Sequence, residues 1–142
     1  MNKPESLRAH LLAAVPQLRH GKDRLLVFID SGSLRCTAAP GLSFEYQYDL
    51  NLVLTDFAAH PDTVMVPLLA WVLIHQRELL ENLEKANGSI KFDAEILTNA
   101  SVDLSITLPL TERVIVKRQP DDTLQITHPD EPQPTWDSPE AP

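Results

Sequence analysis

A chain of 142 residues with 43% hydrophobic content is long enough to bury one core, and its formal charge of −8 is the opposite of a basic nucleic-acid-binding footprint. The acidity is uneven, because after Gln119 six acids stand with no Lys or Arg, which leaves residues 1–118 with fourteen acids against twelve bases. The lone Cys36 excludes an intramolecular disulfide and fits a reducing compartment, and the longest apolar run, Val64 to Ile74, is too short to span a bilayer.

Pro4 suits a first helical position, and Leu7, Leu11, Leu12, Val15 and Leu18 follow at helical spacing, predicting a helix from about Pro4 to Ala14 that Pro16 ends. Arg24 to Asp30 is rich in β-formers, Ser31-Gly32-Ser33 supplies a turn, and Leu34 to Ala38 completes a predicted hairpin. Ala39-Pro40-Gly41 breaks the chain before its most regular stretch. There Phe44, Tyr46, Tyr48, Leu50, Leu52 and Leu54 alternate with Glu45, Gln47, Asp49 and Asn51, the period of a long half-buried strand.

Beyond Phe57 a helix is expected to begin between Asp62 and Pro67 and to end near Glu84. Val66 to Ile74 is apolar on nearly all sides, so a second surface must cover the side turned away from the sheet. Asn87-Gly88 signals a turn, after which Ile90 to Ile96 and Val102 to Leu110 alternate as strands, the latter with an extension through Val114-Ile115-Val116. Pro109 gives no ladder donor and marks an edge, a bulge or a break. The fold class is therefore α+β: a mostly antiparallel sheet built on one long strand, with two helices on one face. A single domain spans 1–118, and 119–142 reads as an acidic, Pro-rich flexible tail carrying Trp136.

No catalytic signature stands out. The five histidines are scattered, no glycine-rich phosphate loop is present, and Ser31-Gly32-Ser33 lacks the glycine that a nucleophile elbow places before its serine. Glu45, Asp49 and Asp103 on the open sheet face are the one set that could hold a divalent cation, against the plainer reading of carboxylates alternating outward into solvent. Cys36 and His75 read as packed residues, and Trp71 as core with an interface role left open. Arg113, Lys117 and Arg118 form a small basic cluster suited to a solvated rim or an acidic partner.

The opening Met-Asn-Lys-Pro-Glu-Ser-Leu-Arg, Leu42-Ser-Phe-Glu-Tyr-Gln-Tyr48, Leu54-Thr-Asp-Phe57, Val66-Pro-Leu-Leu-Ala-Trp71 and Leu108-Pro-Leu-Thr-Glu-Arg-Val114 occur in an order that resembles the tail-completion R protein family of contractile-tailed temperate phages, the peduoviruses, and related prophages. The resemblance implies a terminator-like structural protein, without cofactor, made in the host cytoplasm and placed at the head-proximal end of the tail. It implies a homo-oligomeric, hexameric ring in contact with tail tube, sheath and a neck or head-completion protein, and neither membrane nor sequence-specific nucleic acid as partner. The helix of Leu68, Trp71 and Val72 with Phe57, and the cluster Arg113, Lys117 and Arg118, are then the expected interface residues. Glu45, Asp49 and Asp103 would face the channel. Two other classes remain: an assembly chaperone absent from the finished particle, and, remotely, a metal-dependent enzyme using those three carboxylates.

Overall fold

The computed structural model describes residues 1–19, 21–36, 41–82, 84 and 87–133. Trp136 and the expected break at Ala39-Pro40 lie outside them. In chain order the elements are α1 (Lys3–Ala14), β1 (Leu25–Cys36), β2 (Phe44–Phe57), α2 (Asp62–His75), α3 (Glu78–Glu81), β3 (Lys91–Ile96), β4 (Val102–Arg118) and β5 (Leu124–Thr127). The sheet order is β1-β2-β4-β3, every pairing is antiparallel, and β5 pairs with the far end of β4.

The alternation in β2 does what its period requires. Tyr48, Leu50, Leu52 and Leu54 are buried, and across the ladder they meet Leu110, Leu108, Ile106 and Leu104 of β4. Leu7 and Leu11 of α1 and Val64, Leu68, Trp71 and Val72 of α2 close over this layer. Phe57 would fall on the wrong face of an unbroken strand. A bulge between Leu54 and Phe57, with Asp56 at φ 52°, returns it to the core.

Four expectations change in the structure. In place of the predicted hairpin over 24–38, residues 25–36 form one strand, β1, whose pairing with β2 shifts between Ile29 and Ser31, and Thr37 and Ala38 lie outside the described residues. Ser31-Gly32-Ser33 is paired strand just past that irregularity, not a turn, and Gly32 is needed for close approach, since a Cβ there would sit 3.3 Å from the Cβ of Tyr48. Second, the helix expected to run to about Glu84 stops at His75, because Gln76 leaves helical geometry at φ −146° and ψ 51° and turns its side chain inward. Third, the tail expected from residue 119 first folds back: the Asp121 carboxylate accepts from Thr123 N–H and Oγ1, and Leu124 to Thr127 return as β5. Local turn chemistry and backbone pairing order these residues, while Leu124 and Ile126 stay exposed. Fourth, Cys36 is exposed at the strand end and not packed.

Pro109 remains inside β4. The backbone of Thr111 two residues on points away from β2, and by strand alternation so does that of Pro109. β3 ends opposite Thr107, so no neighbour there asks Pro109 for an N–H.

Candidate functional site

The free edge of β4 beyond Thr107 carries a buried polar lock. Gln76 Oε1 accepts the Thr111 N–H at 3.1 Å, Gln76 Nε2 donates to Thr111 Oγ1 at 2.9 Å, and Lys3 Nζ donates to the Thr111 carbonyl at 2.5 Å and to Gln76 Oε1 at 2.7 Å. One residue on, Glu112 turns to the helix side, where Oε1 accepts Asn2 N–H at 2.7 Å and Oε2 accepts Tyr48 OH at 2.5 Å and Lys3 N–H at 3.3 Å. A carboxylate thus closes the otherwise unpaired N-terminus of α1, where the helix dipole favours negative charge. Lys3 also lies 3.4 Å from Glu131, and Gln133 Nε2 donates to the Ile74 carbonyl at 2.6 Å, so residues 131–133 strap the same region.

Burial holds the Lys3 ammonium below its ordinary pKa against the pull of Glu131, while burial and the Glu112 hydrogen bond raise the pKa of Tyr48. A raised tyrosine contributes stability that is complete below its unfolded value of about 10 and is lost as pH climbs beyond it. The lowered Lys3 works in the other sense, favouring the fold above about 10.5 and losing that contribution as pH falls, so near pH 10 it opposes part of the tyrosine slope and well above 10.5 it adds none. Urea unfolding between about pH 10 and 12 should therefore show stability falling by up to about 1.4 kcal/mol per pH unit from this tyrosine, and Tyr48→Phe should remove that part of the slope. An unchanged slope in the variant would refute the coupling.

A second polar cluster fixes the β2 bulge. The Asp56 N–H donates to Asp103 Oδ1 at 2.8 Å, and the Asp56 carboxylate accepts from Ser101 Oγ and from Asn99 Nδ2, the latter at 3.2 Å. These bonds lower the Asp56 pKa, the Ser101 bond first.

The predicted site residues fall in three places. Trp71, Leu68, Val72 and Phe57, expected at an interface, are 0–3% exposed and belong to the core, with Trp71 Nε1 donating to Ser6 Oγ at 3.0 Å. For the three α2 residues the physical reason is the rotation of the helix, whose other side leaves Val66, Leu69, Leu73 and Ile74 exposed. His75 stacks on Trp71 with ring centroids 4.7 Å apart, and burial followed by the Lys3 charge lowers its pKa.

Glu45, Asp49 and Asp103 share the helix-free sheet face but do not converge. Four residues of strand put Glu45 about 13 Å from Asp49, and Asp103 lies about six residue steps, roughly 20 Å, further along. Each has its own neighbour: Arg35 lies 3.8 Å from Glu45, Ser31 Oγ donates to Asp49 at 3.5 Å, and Asp103 holds the bulge. They do not make a shared cation site. Arg113 stands opposite Glu45, while Lys117 and Arg118 lie at the β5 end of β4, with Arg118 3.7 Å from Asp122.

Sequence reasoning missed Lys3, Gln76 and Glu112, which read locally as ordinary polar residues. A signal did exist. Asn2-Lys3, Tyr48 and Thr111-Glu112 come from three of the five segments that carry the resemblance, and Ser6 and Trp71 join the first to a fourth. Those segments hold helices to sheet.

Fold and lock together define an α+β protein with a helix-backed sheet, an open polar face and exposed apolar edges. The family model described as P2 phage tail completion protein R matches residues 1–132. Tail completion protein R of Escherichia phage P2 is 40% identical over 134 residues, covering 94% of this chain and 86% of that protein. The chain belongs to the P2 phage tail completion protein R family, a family of phage tail structural proteins. No solved structure matches it.

Proposed function

We propose that this protein caps the head-proximal end of a contractile phage tail, stops growth of tube and sheath there and prepares that end to join the head. The observation that carries the reading is the 40% identity to tail completion protein R of phage P2 across almost the whole chain. It acts by binding and shape, without turnover. Assembled in the host cytoplasm, it remains in the virion tail as a homo-oligomeric ring, hexameric as the family resemblance implies. Contacts that close on themselves make an assembly finite, which is what ends a polymer. The helix-free face with Glu45, Asp49 and Asp103 lines the channel, where like charge lets DNA pass without adhering. Val66, Leu69 and Leu73 of α2 are offered to the tube or sheath end, and a neck protein docks on the opposite side of the ring.

The test is to assemble tails with every other tail component but without this chain. Overlong or ragged tails that fail to join heads, restored by adding the purified protein, are expected. Tails of normal length that join heads normally would overturn the proposal. Restoration by a protein then missing from the finished tails would make it an assembly chaperone instead.

A further inference from the structure

Both outer strands of the sheet end in unused backbone groups. Because the Thr111 N–H and C=O turn away from β2, alternation sends the even residues of β4 toward β2 and the odd ones toward β3. Carried through the registers, this turns the backbone of Phe92, Ala94 and Ile96 in β3 and of Gly32, Leu34 and Cys36 in β1 out of the two sheet edges. The Leu25 carbonyl, which the same alternation turns outward, is taken by Arg8. Among the described residues no strand pairs with either outer edge.

The side chains at those positions are apolar and uncovered. Leu34 is 60% exposed, Phe92 63% and Ile96 83%, all on the face that carries the helices but beyond their reach. Long apolar edges of this kind are what natural sheets usually protect or pair. The strand directions also fit. With four strands each antiparallel to the next, β1 and β3 run in opposite senses, so a second copy in the same orientation sets its β1 antiparallel to the first copy's β3.

We infer that the subunit seam is β3 of one copy paired antiparallel with residues 32–36 of β1 in the next, with Leu34 opposite Ala94. This rests on the ring reading above and names its contact. In that register the sizes complement one another: Leu34 lies over Ala94, Ile96 over Gly32, and Phe92 beside Cys36. On the other face Asp93 meets Arg35, which is 72% exposed and held only loosely by Glu45. The outward backbone groups of Phe92, Ala94 and Ile96 then meet those of Cys36, Leu34 and Gly32. Leu34 stands level with Glu112 and Ala94 with Leu104, so the seam offsets successive copies by eight residues along β4, a stagger of the kind that closing a sheet requires.

Cys36 makes the seam testable with one substitution. Opposed residues of a hydrogen-bonded antiparallel pair lie about 5.5 Å apart at Cα, within disulfide range. Mild oxidation of Phe92→Cys should give a covalent ladder beyond dimer on a non-reducing gel, and adding Cys36→Ser should abolish it. Because Phe92 and Leu34 are exposed, the thermal midpoint of the monomeric fold should be unmoved, and Leu34→Lys should lower the mass found by light scattering. Dimers alone would mean like edges pairing with like and would overturn the seam, as would oligomers that stay uncross-linked. A monomer at every concentration also overturns it, while the tail-capping role stands or falls separately on the tail-length experiment.

Discussion

Glu112→Ala should lower the free energy of unfolding by about 3 kcal/mol or more, a larger effect than any exposed carboxylate in the chain would give. Three donors lose their acceptor at once: the Asn2 and Lys3 N–H groups and the Tyr48 hydroxyl. Lys3, already penalised by burial, loses one of the charges that offset the cost. Glu112→Gln is the informative companion. It preserves shape, yet its amide would place two donor hydrogens against groups that also donate, so it should recover only part of the loss. Urea unfolding of both variants, combined with Tyr48→Phe in a double-mutant cycle, measures the coupling. A loss below about 1 kcal/mol for Glu112→Ala would show that the lock does not hold α1 to the sheet.

Trp71→Ala should cost about 3–5 kcal/mol, the range for truncating a buried large aromatic, and should also leave Ser6 Oγ without its donor. Leu73→Ser on the same helix should stay within about 0.5 kcal/mol, since Leu73 is 41% exposed and packs on the outward side. The two variants should separate in a second readout. Trp71→Ala loses tail completion through loss of fold, whereas Leu73→Ser keeps the fold and weakens completion if α2 meets the tail end. A Trp71→Ala protein of native stability that failed only in assembly would return the indole to the interface role the sequence suggested.

The strands with strong alternation were legible because a single period decides both their type and their buried face. β2 and β4 follow that pattern almost residue by residue, and Pro109, opposite Asp49 in the register, turns its nitrogen to the side that β3 does not reach. The hairpin expected in β1 was misread because glycine marks both a turn and a strand position pressed against a neighbour. Which one applies depends on Tyr48 lying opposite Gly32. α2 was legible as a helix but not in its orientation: a segment apolar on every side has no stripe to fix its rotation, so Trp71 and Leu73 could not be assigned to core and surface.

The same distinction divides the site. Alternation and spacing determined that the chain is α+β, and the order of five short segments carried its resemblance to a phage-tail family, because those properties reside in local patterns. The lock of Lys3, Gln76 and Glu112, the dispersal of Glu45, Asp49 and Asp103, and the exposed edges of β1 and β3 were decided only by tertiary structure. Lys3 and Glu112 are 109 residues apart in sequence. Burial, ion pairing and edge exposure depend on which distant strands and helices come to lie beside a residue, and neither period nor propensity carries that information.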